Sequence, residues 1–247
     1  PTLLVHGLGA NRYNMAPPVH EIGIAEFLRA RGHDVWVAEL RGAGRSKPTW
    51  PRKSYNFNDL VFQDAPAFIE HVLKETGASR LNWVGHSLGG MVAYGTMING
   101  RQELIRSVVT VGSPIISGKQ HPLVDAVFPL RGVLKLPIWT PYRIAGFAGG
   151  TFPRLANQLF IGLFLGNASL IDARDVKALA PKALHSVPTA LIDQFASWYD
   201  EARKEAKVGR RVDYWQNLDK IERPTLLVAG SGDRIVPEYM VREVYDN

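Results

Sequence analysis

Along the chain, short apolar runs rich in β-branched residues alternate with longer stretches whose apolar side chains recur at helical spacing, which predicts strands alternating with helices. Repetition of that unit predicts a mostly parallel sheet with helices on both faces, an α/β architecture. Thr2 to Val5 reads as a strand ending at His6-Gly7, and Glu21 to Arg31 as a helix with Ile22, Ala25, Phe27 and Leu28 inward and Gly32 closing it. His33 to Leu40 reads as the second strand. Asn58 to Thr76 reads as a helix begun by Asn58 and stopped at Gly77, and Leu81 to Gly85 as the third strand. A helix from Leu88 to Ile98, strands over Ser107 to Gly112 and Thr225 to Ala229, and a helix from Glu238 complete the pattern.

Between the last two strands lie roughly a hundred residues, where an αβ loop ordinarily takes about 2 to 6. This stretch, rich in Leu, Phe, Ile and Trp and broken by Pro122, Pro129, Pro137, Pro153 and Pro181, reads as several short helices inserted over the end of the sheet. The expected organisation is a core over residues 1–113, a helical cap over 114–217, and the second part of the core over 218–247.

Composition removes several classes of function. With 46% hydrophobic and 21% charged residues among 247, the chain is expected to fold as an ordinary globular protein. It has no cysteine, which rules out disulfides, thiolate metal sites and a cysteine nucleophile. The net charge of +6 invites a nucleic-acid reading, but basic residues are dispersed. The one cluster, Arg203 to Arg211, is interleaved with Glu205 as a solvated helix face would be. The uncharged stretch Leu155 to Ile171 is short for a membrane span and carries Asn157, Gln158 and Asn167. A soluble protein is expected, with no nucleic-acid partner and contact with a membrane surface left open. The compartment stays unknown, the cytoplasm being favoured.

Three segments carry chemistry. Gly85-His86-Ser87-Leu88-Gly89 stands between a buried-strand run and a helical run. A serine hydroxyl is a weak nucleophile unless exposed, aimed and deprotonated, and a strand-turn-helix elbow performs the aiming. Gly85 and Gly89 give space where side chains would clash. By composition the five-residue motif alone would arise by chance roughly one time in ten, so its strand-to-helix context is what gives it weight. His6-Gly7-Leu8-Gly9 ends an earlier strand, and there the Leu8 amide, with the Leu88 amide, is the candidate for an oxyanion hole. His6 reads as structural, through bonds within its loop. Gly230 to Pro237 places Asp233 after a later strand, at the sheet end where α/β proteins bind ligands.

The order of these segments, together with Glu39-Leu40-Arg41-Gly42-Ala43-Gly44-Arg45-Ser46, resembles the α/β-hydrolase superfamily, in particular its capped esterases and lipases, over essentially the whole chain. Glu39 stands where that family's loop has Asp. The resemblance implies a triad of Ser87, Asp233 and a histidine following the acid. No such histidine is present in this chain: all seven, His6, His20, His33, His71, His86, His121 and His185, precede Asp233. His86 is expected to point away from the nucleophile, and His121 and His185 to be surface or packing residues. The chain is therefore expected to be a piece of a longer protein, inactive alone, because it opens inside a strand pattern and closes inside a helix. A binding member of the fold without the histidine is the alternative.

Ser87 implies hydrolysis of a carboxylic ester through an acyl-enzyme, with no metal or organic cofactor. The partner is a small-molecule acyl ester or lipid, since Phe147, Phe152, Phe160 and Phe164 in the cap offer an apolar cover. An acyltransferase or thioesterase of the same fold, or a noncatalytic ligand-binding relative, remains open on these residues.

Overall fold

The computed structural model describes residues 1–18, 23–46, 54–116, 151, 172–185, 187–205 and 215–247. Five parallel strands form one sheet: β1 (Thr2–Val5), β2 (Val35–Ala38), β3 (Leu81–His86), β4 (Ile105–Val111) and β5 (Thr225–Val228), in the order β2-β1-β3-β4-β5. The order reverses between β1 and β3, so the crevice at their carboxyl ends is a topological switch point. Register aligns those ends: Val5 faces both Ala38 and Gly85, His86 faces Val111, and Val111 faces Val228.

Helices α1 (Ile24–Arg29), α2 (Phe57–Asp59), α3 (Ala65–Thr76) and α4 (Leu88–Thr96) connect the strands, and a π-helical stretch, Leu60–Asp64, joins α2 to α3. The cap of this composite helix is Asn56, not Asn58. Asn56 accepts the Asp59 amide at 3.3 Å, and the Asp59 carboxylate accepts the Asn56 amide at 3.0 Å, a reciprocal box that satisfies two orphan donors. Asn58 lies two residues on, inside the first turn, and accepts instead from Gln194 at 3.3 Å.

Of the stretch 114–217, the described residues include α5 (Ala173–Ala183) and the 17-residue α6 (Thr189–Glu205), longer than the short helices expected. Helix α7 (Glu238–Tyr245) follows β5. The large buried cluster takes in β1, β3 and α4 through Leu3, Val5, Trp83 and Tyr94, and the same cluster includes Leu191, Trp198, Ala202 and Trp215. Phe57 joins the two sets, with ring centroids 5.3 Å from Trp198 and 6.0 Å from Trp215. Thus α6 packs into the same core as the sheet. The aromatic residues 147, 152, 160 and 164, and His20 and His121, lie outside the described residues. Among the described residues no helix is long and apolar enough to cross a membrane.

Candidate active site

Ser87 leaves β3 and opens α4 with φ 49° and ψ −115°, and it is the sole non-glycine with positive φ among the described residues. That conformation costs of order 1–3 kcal/mol and persists only where surrounding structure enforces it. The enforcement is visible. The Ser87 amide donates to Val111 O at 2.9 Å, and the buried Trp83 indole donates to Gly89 O at 3.1 Å, tying both sides of the elbow to the core. A Cβ on Gly85 would collide with the backbone of Gly89 and Gly90, and one on Gly89 with the carbonyl of Val5. Both glycines are therefore close-approach positions, where α4 sits directly on β1 and β3.

The loop after β1 lies against this elbow. A Cβ on Gly7 would stand 3.2 Å from Ser87 Cβ and 2.8 Å from His86 Nδ1. Gly9 takes φ 67°, open to glycine at little cost, and closes a turn in which the Ala10 amide donates to Gly7 O at 3.3 Å. His6 Nδ1–H donates to the same carbonyl at 2.8 Å, while its Nε2 accepts the Leu40 amide at 3.1 Å. Because a peptide is planar, two bonds on Gly7 O fix the plane that carries the Leu8 N–H on its opposite side. Among the described residues neither the Leu8 nor the Leu88 amide has an acceptor, and Ser87 Oγ has no partner. Burial drives the His6 ring down to about 4, against opposing contributions from the Gly7 carbonyl and Glu39, so it is neutral at physiological pH.

Asn14, which sequence reasoning passed over, reaches into the same corner. Its Oδ1 accepts the Gly7 amide at 3.2 Å and His86 Nδ1–H at 2.9 Å. Burial also lowers the His86 ring, opposed in part by the Asp233 charge. Asn14 ends a 3-10 turn, Arg12–Asn14, capped by Asn11 and fastened through Arg12 to Glu39 at 3.0 Å. Desolvation pushes the Glu39 carboxyl up, but the Arg45 and Arg12 amides and the Arg12 guanidinium outweigh it and hold Glu39 low. A Cβ on Gly44 would run into that carboxylate.

His185 ties two loops together. Its amide donates to Gly9 O at 2.6 Å, and its Nε2 accepts the Gly44 amide at 3.3 Å. Nearby, Asn11 Nδ2 donates to Lys182 O at 2.7 Å. Residues 182–185 thus link the loops after β1 and β2. Contacts of this sequence separation leave no local pattern by which to find them.

Asp233 approaches from the other side, beyond β4. Its Oδ1 accepts the amides of Ile235 at 2.9 Å and Val236 at 2.8 Å. Its Oδ2 lies 3.4 Å from where a Gly112 Cβ would be, and has no donor among the described residues. One oxygen holds the turn and the other is left for a further donor.

The family profile described as alpha/beta hydrolase fold matches residues 1–246. The chain belongs to the α/β-hydrolase family. Lipase member N of Mus musculus is 33% identical over 249 residues, covering 85% of this chain and 60% of that protein. Gastric triacylglycerol lipase of Homo sapiens is 32% identical over 108 residues, 38% of this chain and 26% of the relative. The chain spans between 26% and 60% of the length of these two relatives. Among solved structures, a thermophilic esterase from Thermogutta terrifontis matches with a TM-score of 0.59 at 17% identity, covering 99% of this chain and 76% of that one. A bromoperoxidase from Bacillus anthracis matches with a TM-score of 0.60 at 20% identity, covering 100% and 79%. These two share the fold while carrying differently named activities, so the chemistry of this α/β hydrolase has to be argued from its own site.

In this α/β hydrolase the carboxyl ends of the strands carry an alcohol on a strained turn and, among the described residues, two amides without acceptors and a carboxylate with one open oxygen. Those are parts from which acyl transfer is assembled. Among the described histidines, His6, His86 and His185 have ring nitrogens bonded to Gly7 and Leu40, Asn14, and Gly44 respectively.

Proposed function

We propose that this α/β hydrolase cleaves carboxylic esters, with lipid esters the substrate class favoured by its lipase-named relatives, through an acyl-enzyme on Ser87. The observation that carries the reading is Ser87 itself, held at φ 49° on the turn between β3 and α4 with Gly7 of the loop after β1 packed against it, and with no partner for Oγ among the described residues. In this reading Ser87 Oγ attacks the acyl carbonyl, and its proton passes to a histidine oriented by Asp233 Oδ2. The developing oxyanion is met by the Leu8 and Leu88 N–H groups. Collapse expels the alcohol, which takes up that proton, and water then releases the acid and restores Ser87.

The test uses the longest natural reading frame containing this sequence, assayed with p-nitrophenyl esters of short and medium chain length. Ser87→Ala is expected to lower kcat by on the order of 10⁴-fold or more, with the fold retained by circular dichroism. Asp233→Asn is expected to lower it by about 10⁴-fold through loss of histidine orientation. Hydrolysis unchanged by Ser87→Ala would remove the nucleophile and with it this reading.

A further inference from the structure

Asn14 joins two chain segments that the proposed reaction requires to be in fixed relation. Its Oδ1 accepts one bond from Gly7 N–H, in the loop that carries the Leu8 amide, and one from His86 Nδ1–H, the residue preceding the nucleophile. Both partners are donors, so the group needed between them is an oxygen with two lone pairs, which a side-chain carbonyl supplies. The Gly7 amide fixes which end of the Asn14 side chain faces inward, and this in turn places the His86 proton on Nδ1. Asn14 is itself held by its 3-10 turn, by the Asn11 cap and by the Arg12–Glu39 pair. Gly7 has no side chain to resist a slide of the loop, and the space beside it is filled by the His86 ring and Ser87 Cβ. Removing the Asn14 carbonyl would leave the loop and the elbow touching but unbonded at this point.

We infer that Asn14 is a positioning residue for ester hydrolysis, its side-chain carbonyl fixing the oxyanion loop of Gly7-Leu8 against the His86-Ser87 elbow. The inference rests on the Ser87 reading and adds to it a group that touches neither substrate nor reacting atoms. A loop displaced by a fraction of an ångström still admits substrate, but its amide no longer meets the oxyanion, so the loss falls on the transition state rather than on binding.

The experiment compares wild type, Asn14→Ala and Asn14→Asp in the longest natural reading frame, measuring kcat and KM with a p-nitrophenyl ester and the inhibition constant of an aryl boronic acid. The boronic acid bonds boron to Ser87 Oγ, the serine proton passing to the base, and holds a boron-bound oxygen where the oxyanion forms. Asn14→Ala is expected to lower kcat by about 10- to 100-fold with KM changed less than about 3-fold, and to weaken the boronic acid in step with kcat. Asn14→Asp keeps an oxygen acceptor in place and is expected to stay within about 5-fold of wild type. The inference is overturned if Asn14→Ala leaves kcat and boronic-acid binding unchanged, if it raises KM alone, or if Asn14→Asp is as slow as Asn14→Ala. Should Asn14→Ala not fold, Asn14→Ser, whose shorter side chain reaches neither donor, replaces it with the same expectations. Activity unchanged in Ser87→Ala overturns the ester-hydrolase reading instead, whichever way the Asn14 variants behave.

Discussion

At the residue scale, one methyl group is enough to probe the packing around Ser87. A Cβ on Gly89 would collide with the Val5 carbonyl, and backbone cannot yield as a side chain can. Gly89→Ala is expected to destabilise the protein by about 1–3 kcal/mol in urea denaturation, because α4 must lift from β1. Gly7→Ala meets the His86 ring instead and is expected to reduce activity more than stability. His6 gives a dependence on pH whose sign follows from its bonds. Its folded pKa, about 4, lies below the ordinary 6.5, since a protonated ring would be charged in a buried place and would lose the Nε2 lone pair that accepts the Leu40 amide. As pH falls, the unfolded chain takes up the proton first. The contribution is therefore full above pH 6.5 and is lost between pH 6.5 and 4, by on the order of 3 kcal/mol. Denaturation curves at several pH values are expected to show a shallower decline in His6→Gln over that window, and equal slopes would contradict the neutral buried ring.

At the scale of elements, capping and docking decide where the loops sit. Asn56→Ala removes one side of the box at the start of α2 and is expected to cost about 1 kcal/mol. The segment 182–185 holds the loops after β1 and β2 through backbone and ring bonds at Gly9 and Gly44. His185→Ala keeps its amide bond to Gly9 O and loses the ring bond to Gly44. Faster hydrogen exchange is therefore expected at residues 42–46, with residues 7–10 changed less. Equal protection in variant and wild type would mean that the ring bond does not restrain that loop. Most strands and helices were legible from apolar patterning: β1 and β3 lie inside the sheet and are largely buried, and α3 buries one face, while the edge strand β5 keeps the same apolar run although Leu226 and Val228 are exposed. The start of the composite helix was not, since Asn56 and Asn58 are the same residue type two positions apart and only the partner at Asp59 distinguishes them.

For the whole molecule, the consequence lies in the shared core. Trp198 of α6 meets Phe57 and Trp215 edge to face, and all three belong to the cluster containing the strands. Trp198→Ala is expected to lower stability by about 3–5 kcal/mol. Wild type is expected to unfold with coincident transitions by tryptophan fluorescence and far-ultraviolet circular dichroism. An α6 that melted ahead of the sheet would show that this part of the 114–217 stretch folds as a separate unit.

The sequence by itself determined the parallel sheet, the elbow at Ser87 and the placement of Gly7, Leu8 and Asp233 at strand ends, because these depend on local periodicity and on glycine at fixed offsets. Tertiary structure alone decided what stands between them. Asn14 and His86 are 72 positions apart and meet because β1 lies beside β3 in the sheet, while Gly44 and His185 are 141 apart and meet where the segment after α5 crosses the loops following the neighbouring strands β1 and β2. A hydrogen bond formed between distant segments has no period along the chain, so the groups that fix the Gly7-Leu8 loop are visible only once the strands are laid side by side.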